Sequence, residues 1–226
     1  MMGLDLLLTI GWSSASPFLA LYLHNERGLP MSLVGIIFLV GGLGSGATNL
    51  VGGMLSDRFG RRRLLLTVIS VGILASVVLA LLIGMSASVW FVVILFIAAR
   101  AINATINLTI AAIVADLSPK DRLAESYAVV RVGGNLGFAI GPALAGFLVG
   151  FLSYGWLFSL SAVTSLIVVF LIYFFLHGSF GGSTERVDLR STLAVSRDRS
   201  FLVFAIVSSL LVLSIGQLGS TLSVFT

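Results

Sequence analysis

A chain of 226 residues in which 58% are hydrophobic and only 10% charged, with a mean hydropathy of +1.13, is not a soluble globular domain, where about 25% of residues are charged. Repeated apolar runs reach the roughly 20 residues that a helix needs to cross a bilayer core of about 30 Å, so this is a polytopic membrane protein. With no cysteine and two isolated histidines, disulfides and thiolate metal sites are excluded, and neither a metal site nor a cofactor is expected.

Seven spans are predicted, at 4–23, 32–55, 64–86, 88–115, 124–152, 155–177 and 200–225. No Lys or Arg precedes the first run, so a cleaved leader is not expected there. Of the 13 basic residues, Arg58, Arg61, Arg62, Arg63, Lys120, Arg122, Arg186, Arg190, Arg197 and Arg199 fall in alternate loops, whereas the other side holds Arg27 alone. The positive-inside rule then puts the N-terminus and those loops in the cytoplasm and the end of helix 7 outside. The net charge of +4 is therefore membrane topology, and no nucleic-acid partner is implied.

Helix 1 carries Gly11, Trp12, Ser13, Ser14, Ser16 and Pro17 in mid-membrane. Polar groups are costly against lipid, so these side chains are expected to face other helices or a cavity, with a kink near Pro17. Asp5 is either an interfacial carboxylate or a proton-binding group. Helix 2 places Gly41, Ser45, Asn49 and Gly53 at intervals of four, a ridge for close helix approach. It is expected to end near Asp57, whose carboxylate then faces the negative end of its own helix and needs a donor from Arg61, Arg62 or the N-terminus of a distant helix. Gly60 allows a tight reversal into helix 3. That helix, nearly all Leu, Val and Ile, reads as lipid-facing scaffold.

Helix 4 sets Arg100, Asn103 and Asn107 on one face. A charge at that depth costs about 2.5–3.5 kcal/mol even on insertion scales, so Arg100 must find a partner or water. The alternatives are a structural ion pair, an arginine capped by backbone carbonyls, or a functional site facing helices 1 and 5. The stretch from Asp116 to Arg122 reads as an interfacial turn. On helix 5, Gly133, Gly137, Gly141 and Ala145 recur every four residues, beside a strip of Arg131, Asn135, Phe138 and Pro142. One strip lets a backbone press close and the other carries polarity. The glycine-rich character of helices 2 and 5 is what two inverted three-helix repeats would show. Residues 1–177 are then a six-helix bundle, 178–199 a cytoplasmic linker, and 200–226 a seventh helix bearing Gln217.

The run Gly53-x-Leu55-x-Asp57-Arg58-x-Gly60-Arg61-Arg62 resembles motif A of the major facilitator superfamily. Gly11 and Pro17 are similar to its helix 1 pattern, with Ala20 in place of a second proline. Arg100-Ala-Ile-Asn103-Ala104 resembles motif B, with Asn for Gln and Ala for Gly. Gly137-x-x-x-Gly141-Pro142-x-x-Ala145-Gly146 resembles motif C, with one glycine changed to alanine.

The resemblance implies an all-α half-bundle of two inverted three-helix repeats plus a seventh helix, with the second half of the transporter lying beyond it. It implies secondary active transport by alternating access, with a small-molecule substrate and a coupling proton as partners and the lipid bilayer as surroundings. Motif C points to multidrug-type proton-coupled efflux of a small amphipathic compound; proton-coupled uptake of a sugar or other metabolite, or a non-transporting fragment that partners another chain, are the alternatives. The polar faces of helices 1, 4, 5 and 7 give an expected cavity and coupling set of Trp12, Ser16, Arg100, Asn103, Asn107, Arg131, Asn135 and Gln217, and the resemblance to motif B links Arg100 among them to proton coupling. The family resemblance also implies that Asp57 meets the N-terminus of helix 11 and holds the cytoplasmic side closed in outward-facing states. A retinal protein is excluded because the only lysine, Lys120, sits in a loop, and no constellation for a membrane enzyme is present.

Overall fold

The computed structural model describes residues 1–176 and, beyond them, Arg199, Leu202, Val203, Ile206 and Val207; of Leu50 and Asp57 it describes the backbone alone. The chain divides into two compact units, Met1–Ser183 and Thr184–Thr226. Almost all of the linker at 178–199 and of the helix at 200–226, Gln217 included, lies outside the described residues. The five described residues past 176 are helical and exposed.

The first unit consists of six helices, α1 (Met2–Leu21), α2 (Met31–Phe59), α3 (Arg61–Gly84), α4 (Val89–Leu117), α5 (Leu123–Val149) and α6 (Gly155–Phe175). Among the described residues, six spans are long and apolar enough to cross a membrane. Large apolar side chains such as Leu43, Phe91, Ile94, Phe147 and Phe170 point outward. In lipid this is the favourable arrangement, and it leaves helix association to close packing and hydrogen bonds. This is an integral multi-pass membrane protein with an all-α fold.

Extensive packing links α1 with α5 and α6, α4 with α2 and α3, and α3 with α6, whereas α1 and α4 share no extended contact. Exchanging α1–α3 with α4–α6 maps this pattern onto itself, the arrangement expected of two three-helix repeats. Between α1 and α5 the fit is made by glycine. A Cβ on Gly133 would lie 2.5 Å from the Met2 carbonyl oxygen, one on Gly137 2.6 Å from that of Leu6, and one on Gly141 2.9 Å from that of Ile10. Both helices thus advance by four residues per contact, ridge against ridge. Ser13 Oγ seals the seam by donating to the Gly137 carbonyl at 3.2 Å.

On α2 the seam differs from the expected ridge. Gly41, Ser45, Thr48 and Gly52 face α4: Ser45 Oγ donates to the Gly41 carbonyl at 2.8 Å, with the Arg100 carbonyl at 3.3 Å, and Thr48 Oγ1 reaches the Ala101 carbonyl. A Cβ on Gly53 would meet nothing within 4 Å. The cause is the helical period, since at about 3.6 residues per turn each step of four drifts by about 40°. Steps of four, three and four stay on one face.

The turn between α2 and α3 is also tighter than expected. Helix α2 runs on through Asp57 to Phe59 and α3 starts at Arg61, so a single residue, Gly60 at φ +87° and ψ 134°, reverses the chain. A side chain is strongly disfavoured at that φ. Helix α1 stays α-helical through Pro17 to Leu21, and the first departure from α geometry is a π-helical turn over Tyr22–Glu26. At that end Arg27 Nε donates to Tyr22 Oη at 2.6 Å and Nη2 to the Ala87 carbonyl at 2.9 Å, tying the α1–α2 turn to the α3–α4 turn.

Candidate functional site

At the α2–α3 end, arginines fasten three helices. Arg61, the first residue of α3, places Nη1 2.7 Å from Asp116 Oδ1 near the end of α4 and donates to the Ala112 carbonyl. A carboxylate in the last turn of a helix faces that helix's negative end, and a cation offsets the repulsion. Arg62 Nη2 donates to the Tyr173 carbonyl at 3.0 Å, satisfying one of the orphan carbonyls at the end of α6. The Arg58 guanidinium sits over the Phe59 ring at 5.5 Å.

Two cavities open between helices deeper in the bundle. The first, about 310 Å³, takes walls from α1, α2, α3, α4 and α6, with Trp12, Ser45, Ser76, Arg100, Asn103 and Asn107 among them. The second, about 660 Å³, lies along α1, α4 and α5, where Asp5, Tyr127, Arg131, Asn135 and Phe138 contribute. Thr9 and Asn107 belong to both, so the cavities adjoin where α1 and α4 fail to pack. Volumes of this order suit small-molecule sites of about 300–1,000 Å³.

Arg100 is half-buried, with its guanidinium 5.9 Å from the Trp12 ring and 5.6 Å from the Phe38 ring. Its stem lies against Gly41, where a Cβ would come within 2.9 Å of Arg100 Cδ. The neighbours of Arg100 are therefore α1 and α2, not α1 and α5 as expected; α5 reaches the second cavity instead. Asn103 Oδ1 points at α3, 2.7 Å from where a Cβ on Gly72 would be. Gly72 and Ser76 thus give α3 a share of the cavity wall, beyond the lipid-facing role read from its composition.

Of the remaining residues singled out in the sequence, Ser16 is buried in α1 and lines neither cavity, whereas Arg131 and Asn135 are exposed along the second. Pro142 sits inside an unbroken α5. Gly146 is outside the tight seam, its nearest neighbour being Phe18 Cζ at 3.9 Å from a built Cβ. The Asp57 side chain and Gln217 lie outside the described residues. Asp116 was missed as a partner, although the reasoning that gave Asp57 a need for a cation applies equally to it.

The family model of the Major Facilitator Superfamily matches residues 2–226. The chain is 25% identical over 220 residues to the "Uncharacterized MFS-type transporter YttB" of Bacillus subtilis (strain 168), covering 96% of this chain and 54% of that protein. It is 29% identical over 165 residues to the "Na(+), Li(+), K(+)/H(+) antiporter" of Planococcus maritimus, covering 70% and 37%. It is also 29% identical over 110 residues to the "MFS-type efflux transporter pyiT" of Pyricularia grisea, covering 46% and 18%. The crystal structure of the peptide transporter POT (E310Q mutant, in complex with sulfate) superposes with a TM-score of 0.68 at 18% identity, over 93% of this chain and 44% of that one, a likeness of fold. The chain thus spans about half the length of the Bacillus relative and less of the others. Six helices among the described residues that are long and apolar enough to cross a membrane, two interlocked three-helix repeats and a family match along nearly the whole length give one conclusion: the chain belongs to the Major Facilitator Superfamily, a family of membrane transporters and not of enzymes.

Proposed function

We propose that these residues form the N-terminal half, the linker and the start of the second half of a secondary active transporter. It works by alternating access and exports a small amphipathic compound in exchange for protons. The observation that carries this reading is the gap between α1 and α4, which leaves two adjoining cavities walled by Trp12, Arg100, Asn107 and Arg131 inside a bundle held by the extensive α1–α5, α1–α6, α2–α4, α3–α4 and α3–α6 seams. The names of the relatives, an efflux transporter and a cation/proton antiporter, support export and exchange. The match of Gly137, Gly141 and Pro142 to motif C supports the same direction.

In this reading residues 1–177 are the moving bundle, 178–199 the cytoplasmic linker, and Gly53, Asp57, Arg58, Gly60, Arg61 and Arg62 the gating turn. The basic loops support a cytoplasmic N-terminus, and the reading takes the membrane to be the plasma membrane. The test is reconstitution of the complete protein into proteoliposomes with an imposed pH gradient. Uphill movement of an amphipathic probe that collapses with a protonophore is expected. Movement indifferent to the gradient would remove the proton from the scheme.

A further inference from the structure

The charge of the two cavities bears on what the transporter carries, an inference that rests on the transport reading above. Among the described residues the cavity walls hold three acidic or basic side chains, Arg100 in the first and Arg131 with Asp5 in the second. Two cations against one carboxylate leave one net positive charge. In a cleft with low-dielectric walls such an imbalance repels an organic cation and draws in an anion.

The donors point the same way. Arg27, Arg61 and Arg62 each have a fixed acceptor in the protein: Ala87, Asp116 and Tyr173 respectively. Arg100 differs. The faces of Trp12 and Phe38 stabilise its charge but leave its N–H groups uncommitted, and among the described residues its guanidinium donates to no protein acceptor. A guanidinium presents five donors in a planar fork that matches a carboxylate, sulfonate or phosphate oxygen pair. Asn103 and Asn107, on the same face of α4, add amide donors beside it. Trp12, 41% exposed on the first cavity, lies 6.3 Å from the ring of Phe138 on the second, so the two rings together supply an apolar wall that runs from one cavity to the other.

We propose that the site takes an anionic amphipath, its oxyanion held by the Arg100 fork and its aromatic or apolar body laid against Trp12 and Phe138. Arg131 raises the attracting potential, and Asp5 narrows the preference to compounds without a second negative charge.

The test uses the complete protein in proteoliposomes with two probes that share one aromatic body and carry fixed opposite charges, 1-naphthalenesulfonate and 1-naphthyltrimethylammonium. Calorimetric binding and gradient-driven flux of the sulfonate are expected, with neither for the ammonium. Arg100→Gln should weaken sulfonate binding at least tenfold. Arg100→Lys should fall between, because it keeps the charge and loses the fork. If the buried substitution prevents folding, Arg131→Gln at an exposed position carries the test, with a several-fold loss expected. Transport of the ammonium alone would overturn the anion site while leaving the transporter reading intact. Sulfonate binding without flux under any gradient would uphold the anion site and overturn the transporter reading. Binding of neither probe would overturn the anion site.

Discussion

Arg61 Nη1 and Asp116 Oδ1 stand 2.7 Å apart, joining the first residue of α3 to the last turn of α4 with 18% and 30% of each side chain exposed. Partial exposure places such a pair near the upper end of the range for surface salt bridges, about 0.5–1 kcal/mol. Asp116→Asn should therefore lower thermal stability in detergent by about that much. Arg61→Gln should cost more, since it also loses the Ala112 carbonyl. A double-mutant cycle is the check: additive losses from the two substitutions would show that the ion pair contributes nothing.

Gly60 carries the whole α2–α3 reversal at φ +87°. Gly60→Ala should cost about 1–3 kcal/mol, the range for a side chain forced into a sparsely populated backbone region. Gly46→Ala is the control, because it lies in mid-helix with nothing within 4 Å of a built Cβ. There alanine should be neutral or stabilising by up to about 1 kcal/mol. Equal melting shifts for the two variants would refute the strained-turn account.

Within the motif C stretch, the structure separates two glycines that the sequence treats alike. A Cβ on Gly141 would press on the Ile10 carbonyl at 2.9 Å, whereas one on Gly146 would find Phe18 Cζ at an ordinary 3.9 Å. Gly141→Ala should destabilise by about 1–3 kcal/mol through overpacking, and Gly141→Leu should abolish transport. Gly146→Ala should be tolerated. Wild-type flux from Gly141→Leu would mean that α1 and α5 do not meet as tightly as described.

For Asp57, the resemblance to motif A implies a latch onto the second half of the transporter. Asp57→Asn in the complete protein should shift the population toward inward-facing states. Cysteine probes on the cytoplasmic side should then label faster than in the wild type, with little change in melting temperature for residues 1–226 alone. Identical labelling rates would remove the latch.

How much of this was legible in the sequence depends on which force set each feature. The first six spans and the α5 seam were, because hydropathy and a strict four-residue glycine repeat are written directly in residue identity. The ends of α2 and α3 were less so: hydropathy stops where Asp57 and Arg61 begin, but backbone hydrogen bonding is indifferent to charge and carries both helices up to Gly60. The α2 seam was misread past Ser45 because equal spacing by four looks like one face only over a short run. Of the two neighbours of Arg100, α1 was expected from the sequence and α2 was not. Which helix lies beside Arg100 is decided by the crossing of α2 over α4, set by Gly41 and Gly52 against the Arg100 stem and Thr105, and no property of α4 alone encodes it.

Each helix of the first three packs extensively only on helices of the last three. Neither triplet therefore has an interior of its own, and this constrains how the protein is made. When α1 has entered the bilayer, its principal partner α5 is still about 100 residues from synthesis. At about 5–20 residues per second, that is a wait of roughly 5 to 20 s. During that interval Ser13 and Ser14 have no seam to enter, and a chain broken between α3 and α4 would yield two pieces that become ordered only on finding one another in the membrane.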